Sequence, residues 1–334
     1  MIITRTPFRI SLFGGGTDYP TWWRQHGGAV LGTAIDKYCY ISLRELPPFF
    51  EHKHKIVYSK VETVNDIGEI QHPAVRAVMD ELRVSTGMEV HHDADLPARS
   101  GLGSSSSFTV GLINALRAYA GRMSTAEHLA REAIRIEQEV IGENVGNQDQ
   151  VWAAYGGTSV IEFRPDGTFA VTPVVMSAQR RAELERHLML FFTGFSRIAS
   201  EVAGKKIQNL HARERQLRAM RAMVDEGLAV LQNEDRPITE IGQMLHRAWT
   251  MKRELAEGVT TSAIDEIYEA ARAAGAVGGK LLGAGGGGFM VVFAEPDRQP
   301  AVREALRGLV QVRFRTGAPG SRVVVYEPDG LGQV

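Results

Sequence analysis

Two glycines and a run of serines, Gly101-Leu-Gly-Ser-Ser-Ser-Ser107, are the residues here whose type and spacing point first to chemistry. Before them, Met88 to Ala94 alternates between polar and apolar and reads as a strand. After them, Phe108, Leu112, Ile113, Leu116 and Tyr119 recur at helical spacing. A loop of small residues therefore opens a helix. Free N–H groups at a helix start attract anions, and small residues let a phosphate come close. The serine hydroxyls can add hydrogen bonds or hold a metal ion. A serine-rich helix cap that binds nothing is the alternative. No lysine follows the glycines, which excludes the Gly-x-x-x-x-Gly-Lys-Ser/Thr loop. Ser106 stands where a dinucleotide fingerprint needs its third glycine. A literal GxGxxG, at Gly283, Gly285 and Gly288, follows a helical segment and precedes a strand. A dinucleotide site requires the reverse order.

Three further segments carry candidate groups. At Arg9 to Tyr19 a strand ends in Gly14-Gly15-Gly16, followed by Asp18. The glycines admit a ligand to the backbone, and the carboxylate can accept from paired sugar hydroxyls. A hairpin turn whose Asp caps its own backbone is the alternative. Glu137 lies in a helical stretch, and Asp149 lies beyond it in a polar cluster followed by Trp152 and Tyr155. Polar groups beside aromatics suit a partly buried site, with a helix-cap Asp as rival. Between Gly278 and Phe289, seven of twelve residues are glycine. One tight turn needs one or two, so a loop wrapping a ligand with its backbone N–H groups explains more of them.

The elements that must position these groups follow from the pattern. Strands are expected at Ile2–Thr4, Arg9–Phe13, Tyr38–Arg44, Lys55–Ser59, Thr158–Phe163 and Ala170–Val175, and helices over 73–86 and 125–142. Residues 176 to 187 are polar and charged and read as a boundary. Beyond them come a strand at Leu188–Thr193, helical stretches at 200–232, 237–255 and 260–274, a strand at Phe289–Ala294, a helix at Ala301–Leu309, and strands at Gln311–Arg315 and Arg322–Tyr326. This order suits a sheet covered by helices. The 334 residues suffice for two domains. A net charge of −1 supplies no overall field for nucleic acid or an anionic membrane. The single cysteine, Cys39, forms no intrachain disulfide and reads as a buried thiol. With no signal-peptide core and no apolar run near ~18 residues, the expected setting is cytoplasmic.

Together the Arg9…Gly14-Gly-Gly-Thr-Asp18 segment, the serine loop and the Lys280…Gly283-Ala-Gly-Gly-Gly-Gly288 segment resemble, in order and spacing, the three motifs of the GHMP kinase family. The similarity runs over essentially the whole chain. The three-glycine motif, Gly146-Asn-Gln-Asp149 and Thr193-Gly-Phe-Ser-Arg197 are similar to the D-glycero-D-manno-heptose 7-phosphate kinases of that family. Galactokinases carry Gly-Glu-His at the three-glycine position, which disfavours galactose.

The resemblance implies an α+β fold of two domains. An N-terminal domain like ribosomal protein S5 domain 2, residues 1–180, would bind ATP. A ferredoxin-like C-terminal domain, 181–334, would follow. It implies Asp149 as catalytic base with Arg9 beside it, and ATP on Gly101, Leu102, Gly103, Ser104, Ser105, Ser106 and Ser107. Mg²⁺ would lie on Ser105 and Glu137. The acceptor would lie against Gly15, Gly16, Thr17, Asp18, Arg197 and Gly285, Gly286 and Gly287. For a second phosphate on the acceptor, Arg197, Lys37 and the run His52-Lys53-His54-Lys55 are the candidates. The implied reaction is transfer from ATP to the C1 hydroxyl of a heptose 7-phosphate. A fucokinase and a non-catalytic sugar sensor are the rivals. The expected partners are ATP and a sugar phosphate, with no nucleic acid and no membrane. A homo-oligomer stays open.

Overall fold

The computed structural model describes residues 1–194 and 213–329. The first is a long strand, β1 (Ile2–Phe13), antiparallel to the still longer β2 (Gly28–Glu45). Register shifts at Pro7/Phe8 and Ser11/Phe13 bend the pair. The two expected strands at Ile2–Thr4 and Arg9–Phe13 are thus one continuous strand. Between β1 and β2 lies α1 (Pro20–His26), started by Pro20 at its first position. β3 (His54–Val57), β4 (Val61–Val64) and β5 (Met88–Ala94) extend the sheet, and β12 (Arg322–Tyr326) closes its other edge, in the order β12-β1-β2-β5-β3-β4. β6 (Thr158–Phe163) pairs with the first half of β2, and β7 (Phe169–Pro173) with β6.

Helix α3 (Ser104–Tyr119) lies on β1 and β2, with α2 (Pro73–Glu81), α4 (Ala126–Arg135) and α5 (Gln148–Tyr155) around it. Its residues Ser106 to Leu116 are all buried, and Cys39 is buried in the same core. Thr125 caps α4 by accepting from His128 N. The helix expected to run to 142 leaves α geometry at Arg135 and makes one π turn, Ile136–Val140, which carries Glu137.

The second sheet is antiparallel: β8 (Leu188–Phe192), β9 (Gly278–Leu281), β10 (Phe289–Phe293) and β11 (Val310–Val312), in spatial order β11-β8-β10-β9. That is the fourth-first-third-second order of a ferredoxin-like sheet. α7 (Glu214–Gln232), α8 (Thr239–Arg253) and α9 (Ser262–Ala273) lie between β8 and β9 in sequence, and α10 (Gln299–Ala305) between β10 and β11. The chain then returns, and β12 (Arg322–Tyr326) pairs with β1.

Two expectations change. Residues 176–187 are not a plain boundary. They hold α6 (Ala178–His187), capped by Ser177, whose charged sequence hides a buried stripe of Arg180, Leu184 and His187. Gly278–Leu281 is not loop but strand, because β10 supplies its pairing partners. Residues 195–212, and Arg197 with them, lie outside the described residues.

Candidate active site

β1 delivers Arg9 beneath the serine loop, 4% exposed. Its guanidinium grips Asp149 two-handed, Nε to Oδ1 at 2.7 Å and Nη2 to Oδ2 at 2.6 Å, while Nη1 donates to Gly101 O at 2.6 Å. One arginine thereby fixes both the carboxylate and the loop, as its planar fork suits. Asp149 sits in the first turn of α5, where the helix dipole favours an anion.

The serines divide by helix phase. Ser104, Ser105 and Ser106 line the cleft. Ser106, not Ser105, donates to Glu137 Oε2, at 2.9 Å. Ser105 is exposed, so the hydroxyl beside the carboxylate lies one position later than expected. Ser107 turns inward and donates to Pro7 O at 2.8 Å. Leu102 is buried, and its carbonyl accepts from Arg9 N at 3.0 Å. Those two residues, expected at ATP, hold the loop in place instead. Glu137 is 1% exposed, and burial pushes its carboxyl up to about 7. Gln150 donates to the same oxygen as Ser106, and Oε1 has no hydrogen-bond partner among the described residues.

Asp18 accepts from Gly16 N on Oδ1 and from Gln148 Nε2 on Oδ2, both at 2.8 Å. Thr17 is buried, its hydroxyl 2.9 Å from Gly14 O and accepting from Ala29 N at 3.1 Å. It braces the glycine turn and does not line the cleft. Tyr19 stands beside Asp18; burial, with Asp18 and Asp149 near, drives its hydroxyl far above the usual range and keeps it protonated.

The third glycine segment packs backbone on backbone. A Cβ on Gly283 would lie 2.5 Å from Gly101 Cα, and one on Gly288 would lie 2.2 Å from Ser100 O. Phe289 N donates to Ser100 O at 2.9 Å. Gly286 N donates to Val259 O, and a Cβ on Gly285 would strike Val259. Among these glycines it is Gly283 that lines the cleft; Gly285, Gly286 and Gly287 do not. Close docking on the serine loop therefore explains Gly283 and Gly288, and close docking on Val259 explains Gly285, in place of the expected wrap around a ligand.

The cleft encloses about 260 Å³. Arg9, Asp149, Asp18, Gly15, Gly16, Gly101, Gly103 and the three serines meet in its wall, as their motifs imply. Ser11, Tyr19, Arg99, Glu143, Lys252 and Lys280 also form this wall, and the pattern of residue types had singled out none of them for it. Lys280 and Lys252 are 3% and 4% exposed. Lys280 Nζ donates to Leu12 O at 2.9 Å and so ties β9 to β1; Lys252 Nζ donates to the carbonyls of Leu281 and Gly283. Lys280 was visible inside its glycine run, whereas nothing local marks Lys252. Of the cations considered for a second phosphate, Lys37 pairs with Asp36 and Lys55 with Glu89. Neither they nor His52, Lys53 and His54 line this cleft.

An anion-receptive helix start, a carboxylate held by arginine, and buried cations in one cleft between two sheets suit phosphoryl transfer, which asks for positioning and charge neutralisation. The protein is a phosphotransferase with an alcohol group as acceptor. Residues 69–157 match the GHMP kinases N terminal domain, and residues 228–310 match the GHMP kinases C terminal domain. A D-glycero-alpha-D-manno-heptose 7-phosphate kinase of Campylobacter jejuni is 30% identical over 316 residues, 92% of this chain and 93% of that protein. The chain belongs to the GHMP kinase family. A bifunctional fucokinase/GDP-fucose pyrophosphorylase of Arabidopsis thaliana is 28% identical over 90% of this chain, which spans 30% of the plant protein. Among solved structures, a D-glycero-D-manno-heptose 1-phosphate kinase from Bacteriodes thetaiotaomicron shares the fold, with a TM-score of 0.79 over 98% of this chain and 100% of that one, at 22% identity.

Proposed function

We propose that this protein transfers the γ-phosphate of ATP to the C1 hydroxyl of D-glycero-D-manno-heptose 7-phosphate. The product is the 1,7-bisphosphate, for synthesis of nucleotide-activated heptose. The observation that carries this reading is the Arg9–Asp149 pair set against the serine loop in one cleft. The full-length likeness to a heptose 7-phosphate kinase supports the choice of sugar. Asp149 takes the proton of the attacking hydroxyl, a contribution of roughly 10²–10⁴-fold for general-base catalysis. Arg9 holds that carboxylate and offsets charge at the transferred group. Gly101, Gly103 and Ser104 to Ser106 receive the ATP phosphates. Asp18, Gly15 and Gly16 face the acceptor. Lys252, Lys280 and Arg99 add positive charge to the cleft for the acceptor's own phosphate, beside Arg197 as a further candidate.

The residues fit Mg²⁺. Glu137 Oε1 is buried without a partner among the described residues, and the Ser106 hydroxyl adjoins the same carboxylate. Among the described residues no group of three His, Cys, Asp or Glu could hold a metal. The ion would complete its shell with phosphate oxygens and water, as Mg²⁺ commonly does. Bound there, it supplies neutralisation of phosphate charge. Among the described residues no helix is long and apolar enough to cross a membrane; a cytoplasmic setting, where ATP is plentiful, belongs to the same proposal.

The test is ³¹P NMR of purified protein with Mg²⁺-ATP and a panel of heptose 7-phosphate, free heptose, fucose, galactose and mannose. A new anomeric phosphate signal with heptose 7-phosphate alone is expected. The second reading, a fucose 1-kinase, is favoured by the likeness to the plant fucokinase; turnover of fucose instead would establish it.

A further inference from the structure

Two polar atoms in the cleft wall have no use in the machinery above. Ser11, on β1, is 6% exposed, and its Oγ finds no hydrogen-bond partner among the described residues. Gln148, at the start of α5, donates through Nε2 to Asp18, and its buried Oε1 is likewise without a partner among the described residues. Both residues line the cleft that holds Asp149. A buried polar atom left unpaired costs ~1–3 kcal/mol, so two in one wall call for an explanation.

Gly15 supplies it. Unlike its neighbours Gly14 and Gly16, it does not take a positive φ. A Cβ there would meet only Ser11 Oγ at 3.6 Å and Gln148 Nε2 at 3.9 Å, ordinary contact distances. Neither strain nor crowding demands glycine at 15. Its missing side chain leaves a space bordered by the two residues whose oxygens are unpaired.

We propose that Ser11, Gly15 and Gln148 form the subsite that reads a hydroxyl of the acceptor, with Asp18 as the positioning residue that aims Gln148. One hydroxyl group matches the unused capacity: it donates to Gln148 Oε1 and accepts from Ser11 Oγ. Asp18 acts through Gln148, because its Oδ2 takes the amide N–H and so turns Oε1 away from itself. The ligand class is a polyol, and the inference rests on the sugar-kinase reading above.

The test measures acceptor and ATP affinities separately, by calorimetry with a non-hydrolysable ATP analogue and the same sugar panel, and by KM and kcat. Ser11→Ala and Gln148→Leu are each expected to weaken the acceptor about 10-fold, the size of one lost hydrogen bond, with ATP affinity unchanged and kcat within a few fold. Gly15→Ala, whose Cβ has room in the folded protein, is expected to weaken it at least as much, because it fills the space. Asp18→Asn is expected to weaken the acceptor alone, and by a smaller factor in the Gln148→Leu background than in the wild type, because part of its effect runs through Gln148. If the wild type binds a sugar and the variants bind it within twofold, the subsite is wrong and the sugar-kinase reading stands. Parallel loss of ATP affinity also overturns the subsite, since it marks damage to the whole cleft. If the wild type neither binds nor phosphorylates any sugar, both fall.

Discussion

At the scale of single residues, four consecutive serines have three different fates, and helix phase decides them. Each step along a helix turns a side chain by about 100°. Ser104 and Ser105 therefore face the cleft, Ser106 reaches Glu137, and Ser107 faces the core. Four identical letters carry no phase, so the sequence places a metal-side serine only to within one position. Glu137 is similar: its π turn sets its direction, and a helical pattern over 125–142 does not reveal one. Arg9, Asp18 and Asp149 were legible because each sits inside a short motif. Ser106→Ala is expected to raise the Mg²⁺ concentration for half-maximal activity several-fold, while Ser105→Ala leaves it within about twofold. Titration of activity with MgCl₂ at saturating ATP checks this, and the opposite ranking would return the role to Ser105.

Elements meet at buried charges whose balance sets the response to acid. Glu89 on β5 receives Arg44 of β2, Lys55 of β3 and His91 of its own strand. Burial alone would raise its carboxyl, but the hydrogen bonds from His91, Lys55 and Arg44 outweigh it and hold the group at about 2. A folded pKa below the unfolded value contributes stability above the unfolded pKa of about 4.5 and loses it as pH falls towards 2. With half-exposed partners the effect is discounted to about 1–2 kcal/mol. Glu89→Gln is therefore expected to lower the urea midpoint at pH 7 and to narrow the gap from wild type at pH 3. An equal loss at both pH values would show that packing, not charge, is at stake. Strands and long helices of this sheet were legible from periodicity. α1, α6 and β9 were not, because seven residues, a mostly charged helix and a two-glycine strand carry too little apolar pattern.

Across the whole molecule, the cleft exists because two glycine-rich loops from different sheets touch. Gly283 and Gly288 rest on Gly101 and Ser100, and Lys280 ties β9 to β1. Motif order suggested that these segments converge, but only tertiary packing shows that the glycines serve each other's backbones. We propose two folding units that divide just before α6, a few residues ahead of the expected boundary at 180, because Arg180 of α6 donates to the carbonyls of Val230, Asn233 and Arg236; β12 completes the first sheet from the far end of the chain. Such an arrangement places phosphate loop, base and acceptor wall on rigid elements, which positioning catalysis needs. The central claim is that Asp149 in this cleft takes the proton of a sugar hydroxyl during phosphoryl transfer from ATP. The most direct measurement is single-turnover phosphorylation of heptose 7-phosphate by wild type and Asp149→Asn, with ATP binding measured alongside. The expected result is a rate lower by roughly 10²–10⁴-fold in the variant with ATP affinity within a few fold. An Asp149→Asn enzyme that turns over at close to the wild-type rate would contradict it.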